Sequence, residues 1–311
     1  MSNLRPQRFD DLIGQDEIIQ NLKISVKSAM VRRDTLSHCL FYGGAGLGKT
    51  TLARALANEL NVPIEIANGA SLSTSKDVLP YLMKMTRGSI FFIDEIHRVS
   101  KKVQEYLLTV IEDFRLDIVI PASKNSQGET INIDIPKFCF VGATTEMGDL
   151  VQPFLDRFKL KHFIRTYSVE ELSELVSINA KKIKVDISEE SVKIISKISR
   201  GVPRLANNFL EWLRDYGVAN GLRNLSSEQV TKAIKMQGID ENGLNPIDRK
   251  YLEVLINLPK GTHIGVNTLC SALSLDRQTI EQKIEPYLMQ QGYVNRTSKG
   301  RVLIRGLVTP S

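Results

Sequence analysis

Two rhythms divide this chain. Up to about residue 166, short unbroken apolar runs such as HCLFYG (38–43), SIFFI (89–93) and KFCFVGA (137–143) alternate with stretches at helical spacing, as in TLARALANEL (51–60) with Leu52, Ala55, Leu56 and Leu60. Runs of this length predict strands buried on both faces. Their alternation with helices predicts an α/β fold, a parallel sheet with helices on both sides.

Beyond that point the strand rhythm disappears. SVEELSELVSINAKKI (168–183) opens with a Ser-x-x-Glu capping box, SEESVKIISKIS (188–199) sets Val192, Ile195 and Ile198 on one face, and SSEQVTKAIKMQG (226–238) closes the set. A small all-helical domain over 167–240 is expected, after a first domain over 1–166. The remainder, 241–311, reads as a winged helix. PIDRKYLEVLINL and GVNTLCSALSL are short helices, and DRQTIEQKIEPYLMQQG (276–292) is a longer one with Ile280, Ile284 and Leu288 on one face. YVNRTSKGRVLI (293–304) is a hairpin turning at Ser-Lys-Gly.

Composition narrows the class. With 311 residues, 42% hydrophobic and 24% charged, the chain is globular and long enough for several domains. It has no apolar run of membrane-spanning length, and its start, MSNLRPQRFDDLIGQ, is too polar for a signal peptide, so a cytosolic location is expected. Cys39, Cys139 and Cys270 lie in apolar contexts without CxxC spacing, which favours buried thiols over metal ligands or disulfides. The net charge of +6 permits a polyanionic partner. Its distribution says more, because Pro286–Ser311 contains no acidic residue but includes Arg296, Lys299, Arg301 and Arg305.

The chemistry concentrates at LFYGGAGLGKTTLA (40–53). Gly43-x-x-x-x-Gly48-Lys49-Thr50 fits the phosphate-loop pattern, in which glycines such as Gly46 and Gly48 let backbone N–H groups close around phosphates and Lys49 reaches the outer ones. Thr50 places a hydroxyl for Mg²⁺. A helix starting near Thr51 aims its positive end at the nucleotide. The strand 89–93 runs into Asp94-Glu95, which fits a Mg²⁺-supporting carboxylate followed by an activator of the attacking water. His97, two residues on, is open to a substrate or a structural role. Thr144 and Thr145 end the strand of 137–143, where ligands gather in parallel sheets, so a hydroxyl there can sense the γ-phosphate. Arg157, in LDRF, can pair locally with Asp156 or serve the site.

The order of these motifs resembles the AAA+ ATPases. LRPQRFDDLIGQ, GLGKTTLA, IDEIHR, LDIVI, GATT, LDRF, RGVPRLANNFL and EPYLMQQGYVNRTSKGR resemble, almost end to end, the RuvB family of bacterial Holliday-junction branch-migration motors. The resemblance implies an ATP-hydrolysing hexameric ring that moves duplex and four-way junction DNA beside a junction-binding partner, RuvA. It implies Lys49, Thr50 and Thr51 at the phosphates and Mg²⁺, Asp94 and Glu95 as the hydrolytic pair, and Thr145 as first sensor. Arg157 becomes an arginine finger acting on a neighbour's ATP, and Arg204, in GVPR, a second sensor in a helical lid. Leu4, Arg5 and Tyr167 fall where the family holds adenine and ribose.

Three departures stand out. The cradle reads GGAG where the family usually has Gly-Pro-Pro-Gly, which adds amide donors. Glu146 stands where arginine is commoner. The segment 116–136 resembles the hairpin that docks RuvA, with a longer, more polar tip, PASKNSQGET. In the wing, Arg296, Lys299 and Arg301 are expected to bracket an exposed turn and touch DNA phosphates, with Arg277 as a further contact. The alternatives are a clamp-loader or initiator-type switch sharing the ATPase motifs, and a winged-helix regulator, which leaves Glu95 and Arg157 without work.

Overall fold

The computed structural model describes residues 4–120, 129–259 and 261–304. These form two compact units: the described residues up to 175 with Val202–Arg204, and the described residues of 176–201 and from 205 on.

The first unit alternates as its apolar rhythm predicts. Its elements are α1 (Asp16–Arg32), β1 (Cys39–Gly43), α2 (Lys49–Leu60), β2 (Ile64–Asn68), α3 (Ser75–Leu82), β3 (Ile90–Asp94) and α4 (Lys101–Asp113). A hairpin of β4 (Arg115–Ile120) and β5 (Glu129–Asp134) follows, then β6 (Cys139–Thr144), α5 (Gln152–Asp156) and β7 (Leu160–Ile164). Strands β2, β3, β6, β1 and β7 lie side by side in that order, all parallel. Along each strand the side chains alternate between faces, so Phe91 and Ile93 enter one core with Val103, Leu107 and Phe154, while Ile90 and Phe92 enter the other with Leu22, Leu52 and Leu56. Both faces are dry, which is why these strands read as continuous apolar runs.

That strand order fixes the site. β1, β3 and β6 end on the same edge, at Gly43, Asp94 and Thr144, with Tyr42 beside Thr144 and Asn68 beside Asp94. The antiparallel hairpin pairs Leu116 with Ile133 and Ile118 with Ile131. The expected longer polar tip falls mostly on 121–128, outside the described residues. Cys39 and Cys139 are buried and Cys270 half-buried, all free thiols.

The helical segment contains α6 (Val169–Lys182), β8 (Asp186–Ile187), α7 (Glu189–Ile198), α8 (Pro203–Ala219), β9 (Asn224–Leu225) and α9 (Ser227–Met236). The capping box expected at its start forms: Ser168 N–H donates to Glu171 Oε2 at 2.8 Å, and Glu171 N–H returns to Ser168 Oγ at 3.1 Å. In the second unit α10 (Pro246–Ile256), α11 (Val266–Leu273), α12 (Arg277–Thr279), α13 (Glu285–Gln290), β10 (Val294–Thr297) and β11 (Gly300–Leu303) build the winged helix. The expected longer helix is present with a wide π turn at Ile280–Ile284, where Glu285 N–H reaches back to the Ile280 carbonyl. Pro286 supplies the reason. It lacks an N–H and would crowd the carbonyl four residues earlier in a regular helix. Ile280, Ile284 and Leu288 still share the buried face with Leu252, Leu255 and Leu269.

Candidate functional site

The loop between β1 and α2 is shaped by backbone rather than side chains. Gly46 has φ +79°, and a Cβ there would stand 2.8 Å from Val202 Cγ1 and 3.1 Å from Arg204 Cβ, so only glycine lets the chain pass. Arg204 N–H donates to the Gly46 carbonyl at 3.4 Å, which ties the start of α8 to the loop. Gly48, at φ +101°, caps α2, which begins at Lys49, two residues earlier than expected. Thr51 is half-buried in the first turn. Lys49 is buried, and its Nζ donates to the Gly43 and Gly44 carbonyls, both at 2.8 Å. Burial lowers its pKa, with Arg204 adding to the fall and the Glu95 and Asp94 carboxylates opposing it.

Thr50 Oγ1 donates to Asp94 Oδ2 at 2.6 Å, while Asp94 Oδ1 accepts the Glu95 N–H at 3.1 Å. A hydroxyl and a carboxylate form a hard oxygen pair that fits Mg²⁺, which usually completes its shell with phosphate oxygens and water. Among the described residues no cluster of three or more His, Cys, Asp or Glu could hold a metal.

Glu95 leaves the strand in a left-handed conformation, φ +52°. Its Oε2 lies 3.4 Å from His97 Nε2, and His97 Nδ1 lies 3.0 Å from Thr144 Oγ1. Thr144 is the fully buried member of the Thr144-Thr145 pair and also accepts the Glu146 N–H at 2.9 Å, whereas Thr145 stands half-buried just past β6. Local spacing does not mark Thr144 or Glu146 as neighbours of His97 beside Glu95. Only the β3–β6 adjacency brings them together.

Arg157 does not pair with Asp156, whose carboxylate accepts from Gln152 Nε2 at 2.7 Å. Its Nη2 instead donates to both oxygens of Glu112, each at 2.9 Å, on a surface where the guanidinium is 42% exposed. Tyr167 is half-buried against the α1–α2 core, and burial pushes its hydroxyl up to about 12. Its oxygen would lie 3.9 Å from a Cβ at Gly48. Leu4 is buried and Arg5 exposed.

The wing corrects one expectation. Arg296 and Arg301 face each other across β10 and β11, but Arg301 is only 5% exposed. Its Nε donates to Glu285 Oε1 and its Nη2 to Glu281 Oε1, both at 2.7 Å, while Tyr251 OH donates to the same Glu285 oxygen at 3.0 Å. Arg301 therefore holds the domain together and does not bracket an exposed turn. Directly opposed like charges destabilise a hairpin, and Glu281 resolves the conflict. It also accepts Arg277 Nε at 3.0 Å and lies 3.2 Å from Arg296 Nη2. These guanidiniums, Arg277 first, hold the Glu281 carboxyl down to about 2. Arg277 and Arg296 remain 60% and 48% exposed, and Lys299 is exposed at the turn. Arg305 lies outside the described residues.

A parallel sheet in which β1, next to the central strand β6, opens into a phosphate loop, answered two strands away by an Asp-Glu pair and from a helical segment by Arg204, defines an AAA+ P-loop ATPase. The chain matches three family models in succession: the Holliday junction DNA helicase RuvB P-loop domain over 4–164, the RuvB AAA lid domain over 167–240, and the RuvB C-terminal winged helix domain over 241–306. It therefore belongs to the RuvB family. The Holliday junction branch migration complex subunit RuvB of Rhodopirellula baltica is 40% identical over 299 residues, covering 96% of this chain and 81% of that protein. The corresponding subunit of Campylobacter hominis is 41% identical over 302 residues, covering 97% and 88%. The Thermotoga maritima RuvB Holliday junction branch migration motor superposes with a TM-score of 0.85 at 35% identity, covering 97% of this chain and 96% of that one.

Proposed function

We propose that this chain is an ATP-driven motor that branch-migrates Holliday junctions in the cytoplasm, as a homo-hexameric ring with a RuvA-like partner docked on the 116–136 hairpin. The observation that carries the ATPase reading is the Thr50–Asp94 hydrogen bond of 2.6 Å beside Lys49 and Glu95. In this reading the loop amides, Gly46, Gly48, Lys49 and Thr51 hold the phosphates, and Thr50 and Asp94 hold Mg²⁺. Mg²⁺, when bound, neutralises charge developing on the phosphate oxygens. Glu95 orients the attacking water and takes its proton. Thr145 senses the γ-phosphate. Arg157 leaves Glu112 to serve the adjacent subunit's ATP, Arg204 couples the phosphates to the lid, and Leu4, Arg5 and Tyr167 enclose adenine and ribose.

The successive family matches support a division into 1–166, 167–240 and 241–311. Among the described residues no helix is long and apolar enough to cross a membrane. Exposed Arg277, Arg296 and Lys299 are assigned to DNA phosphates, with Arg301 as their buried anchor. The test is ATP turnover and junction unwinding on four-way junction DNA, with and without RuvA. Sustained, DNA-stimulated turnover is expected. A single round of ATP binding that merely loads a partner would replace the motor by a clamp-loader-type switch.

A further inference from the structure

The Glu95 carboxylate lies 3.4 Å from an imidazole that is itself fixed at its other end. The backbone around it is over-determined: Arg98 N–H donates to the Glu95 carbonyl at 2.9 Å, and that carbonyl would lie 2.2 Å from any Cβ at position 69, so Gly69 is needed for the approach. A non-glycine residue at φ +52° persists only where its surroundings impose it. What remains adjustable is the carboxylate, whose side chain is 34% exposed.

The imidazole beside it has one consistent neutral tautomer. His97, half-buried with its side chain 9% exposed, has Nδ1 at 3.0 Å from Thr144 Oγ1 and Nε2 facing two carboxylates, Glu95 Oε2 at 3.4 Å and Glu146 Oε1 at 3.9 Å. A proton on Nδ1 would turn the Nε2 lone pair toward both carboxylates, which is repulsive. With the proton on Nε2, Thr144 donates its hydroxyl hydrogen to Nδ1 while its oxygen accepts the Glu146 N–H at 2.9 Å, and every polar atom has a partner of the right kind. The Nε2–H then faces two carboxylates at 3.4 and 3.9 Å, an electrostatic approach that is a full hydrogen bond to neither.

We propose that Thr144, His97 and Glu146 form a positioning relay for Glu95: Thr144 fixes the tautomer, His97 aims the carboxylate, and Glu146 competes for the shared hydrogen so that Glu95 stays loosely held and able to turn onto water. The relay rests on the assignment of Glu95 as water activator. It gives Glu146 a task that its neighbours in sequence do not reveal. Removing the competing charge lets His97 hold Glu95 more tightly and withdraws it from water. Removing His97 loses the aim and, with it, any influence of Glu146.

The test is a double-mutant cycle on the full chain with junction DNA, reading kcat, KM and the ATP dissociation constant separately. Glu146→Gln lowers kcat severalfold with KM and ATP affinity within about twofold of the parent, and His97→Ala lowers kcat about tenfold, the scale of a misaimed rather than a missing group. In the His97→Ala background, Glu146→Gln adds nothing. Thr144→Val reproduces the His97→Ala loss, and Thr144→Ser, which keeps the hydroxyl, restores it. Additive losses, or a loss confined to KM, would overturn the relay, and thermal unfolding of each variant separates these results from misfolding. Glu95→Gln run alongside distinguishes the two levels. If it hydrolyses ATP like the parent, the activator assignment and the relay fall together, whereas an inactive Glu95→Gln with an additive cycle removes the relay alone.

Discussion

Two acidic pairs in this molecule meet opposite fates. Asp94 and Glu95, at the end of β3, face largely neutral company: a threonine hydroxyl on one, a shared imidazole N–H near the other, and a lysine whose ammonium is occupied by two carbonyls. Glu281 and Glu285, across the π turn, are saturated, with Arg277, Arg296 and Arg301 around the first and Arg301 and Tyr251 on the second. Buried charge is tolerated only when it is paired. The first pair leaves carboxylate charge that, in the proposed reading, a metal ion would complete, while the second uses it to fix a fold. A row of arginines in sequence cannot reveal which of these it serves.

The largest effect expected belongs to the unsaturated pair. Lys49→Ala abolishes ATP binding, because it removes the cation at the mouth of the loop. Glu95→Gln keeps binding and loses hydrolysis by about 10²-fold or more, the scale of a lost general base. Calorimetry with ATP, beside phosphate release, checks both. An ATP affinity equal to the parent's in Lys49→Ala would remove the cradle from the reading.

Next comes the saturated pair. Arg301→Ala leaves Glu285, whose side chain is 2% exposed, without its guanidinium, and truncating one partner of a buried ion pair costs about 3–5 kcal/mol. Denaturant unfolding followed in the winged helix should show that loss, while ATP binding by the first unit persists. Arg296→Ala removes an ion pair 48% exposed on the arginine side and should change stability little. Equal losses in the two variants would mean that Arg301 is no anchor.

How far the sequence reached follows from the range of each interaction. The phosphate loop, the Ser168 capping box and the wing turn depend on residues a few positions apart, and local spacing carries all three. Arg157 finds Glu112 45 residues back, and His97 finds Thr144 47 residues on. Both pairings exist because strand order folds the chain that way, so local spacing holds no trace of them. The burial of Arg301 escapes the sequence for a related reason. Strand alternation places it on the face of Arg296, but its partners lie 16 and 20 residues earlier on a helix. One clue was available: Pro286, inside a periodic helical stretch, announces a break in regular hydrogen bonding just where those carboxylates stand.

The exposed rim of the cluster should act on DNA rather than on folding. If Arg277 and Arg296 each take one phosphate, replacing both by Ala flattens the slope of log K against log salt concentration by about two, since each contact releases roughly 0.9 of a counterion. The loss should be alike on unrelated duplexes, and turnover without DNA should stay near the parent's. A slope unchanged in the folded double variant would leave these arginines as partners of Glu281 alone.

The smallest effect separates the two kinds of charge by pH. Glu281 is held down to about 2 by its guanidinium neighbours, against 4.5 for an ordinary glutamate, so its folded-state pKa is depressed. A depressed carboxyl contributes stability that is fully present above its unfolded value and disappears as pH falls through the folded one. The parent should therefore exceed Glu281→Gln in stability by a constant margin from neutrality down to about pH 4.5, and the margin should close toward pH 2. Protonation then leaves the parent with the same three guanidiniums facing an uncharged side chain as in the variant. Comparing the two chains cancels the titration of every other carboxylate, which acid unfolding of the parent alone would not. Urea midpoints followed in the winged helix at stepped pH provide the measurement, and a margin that persists unchanged at pH 2 would show that Glu281 acts through packing instead of charge.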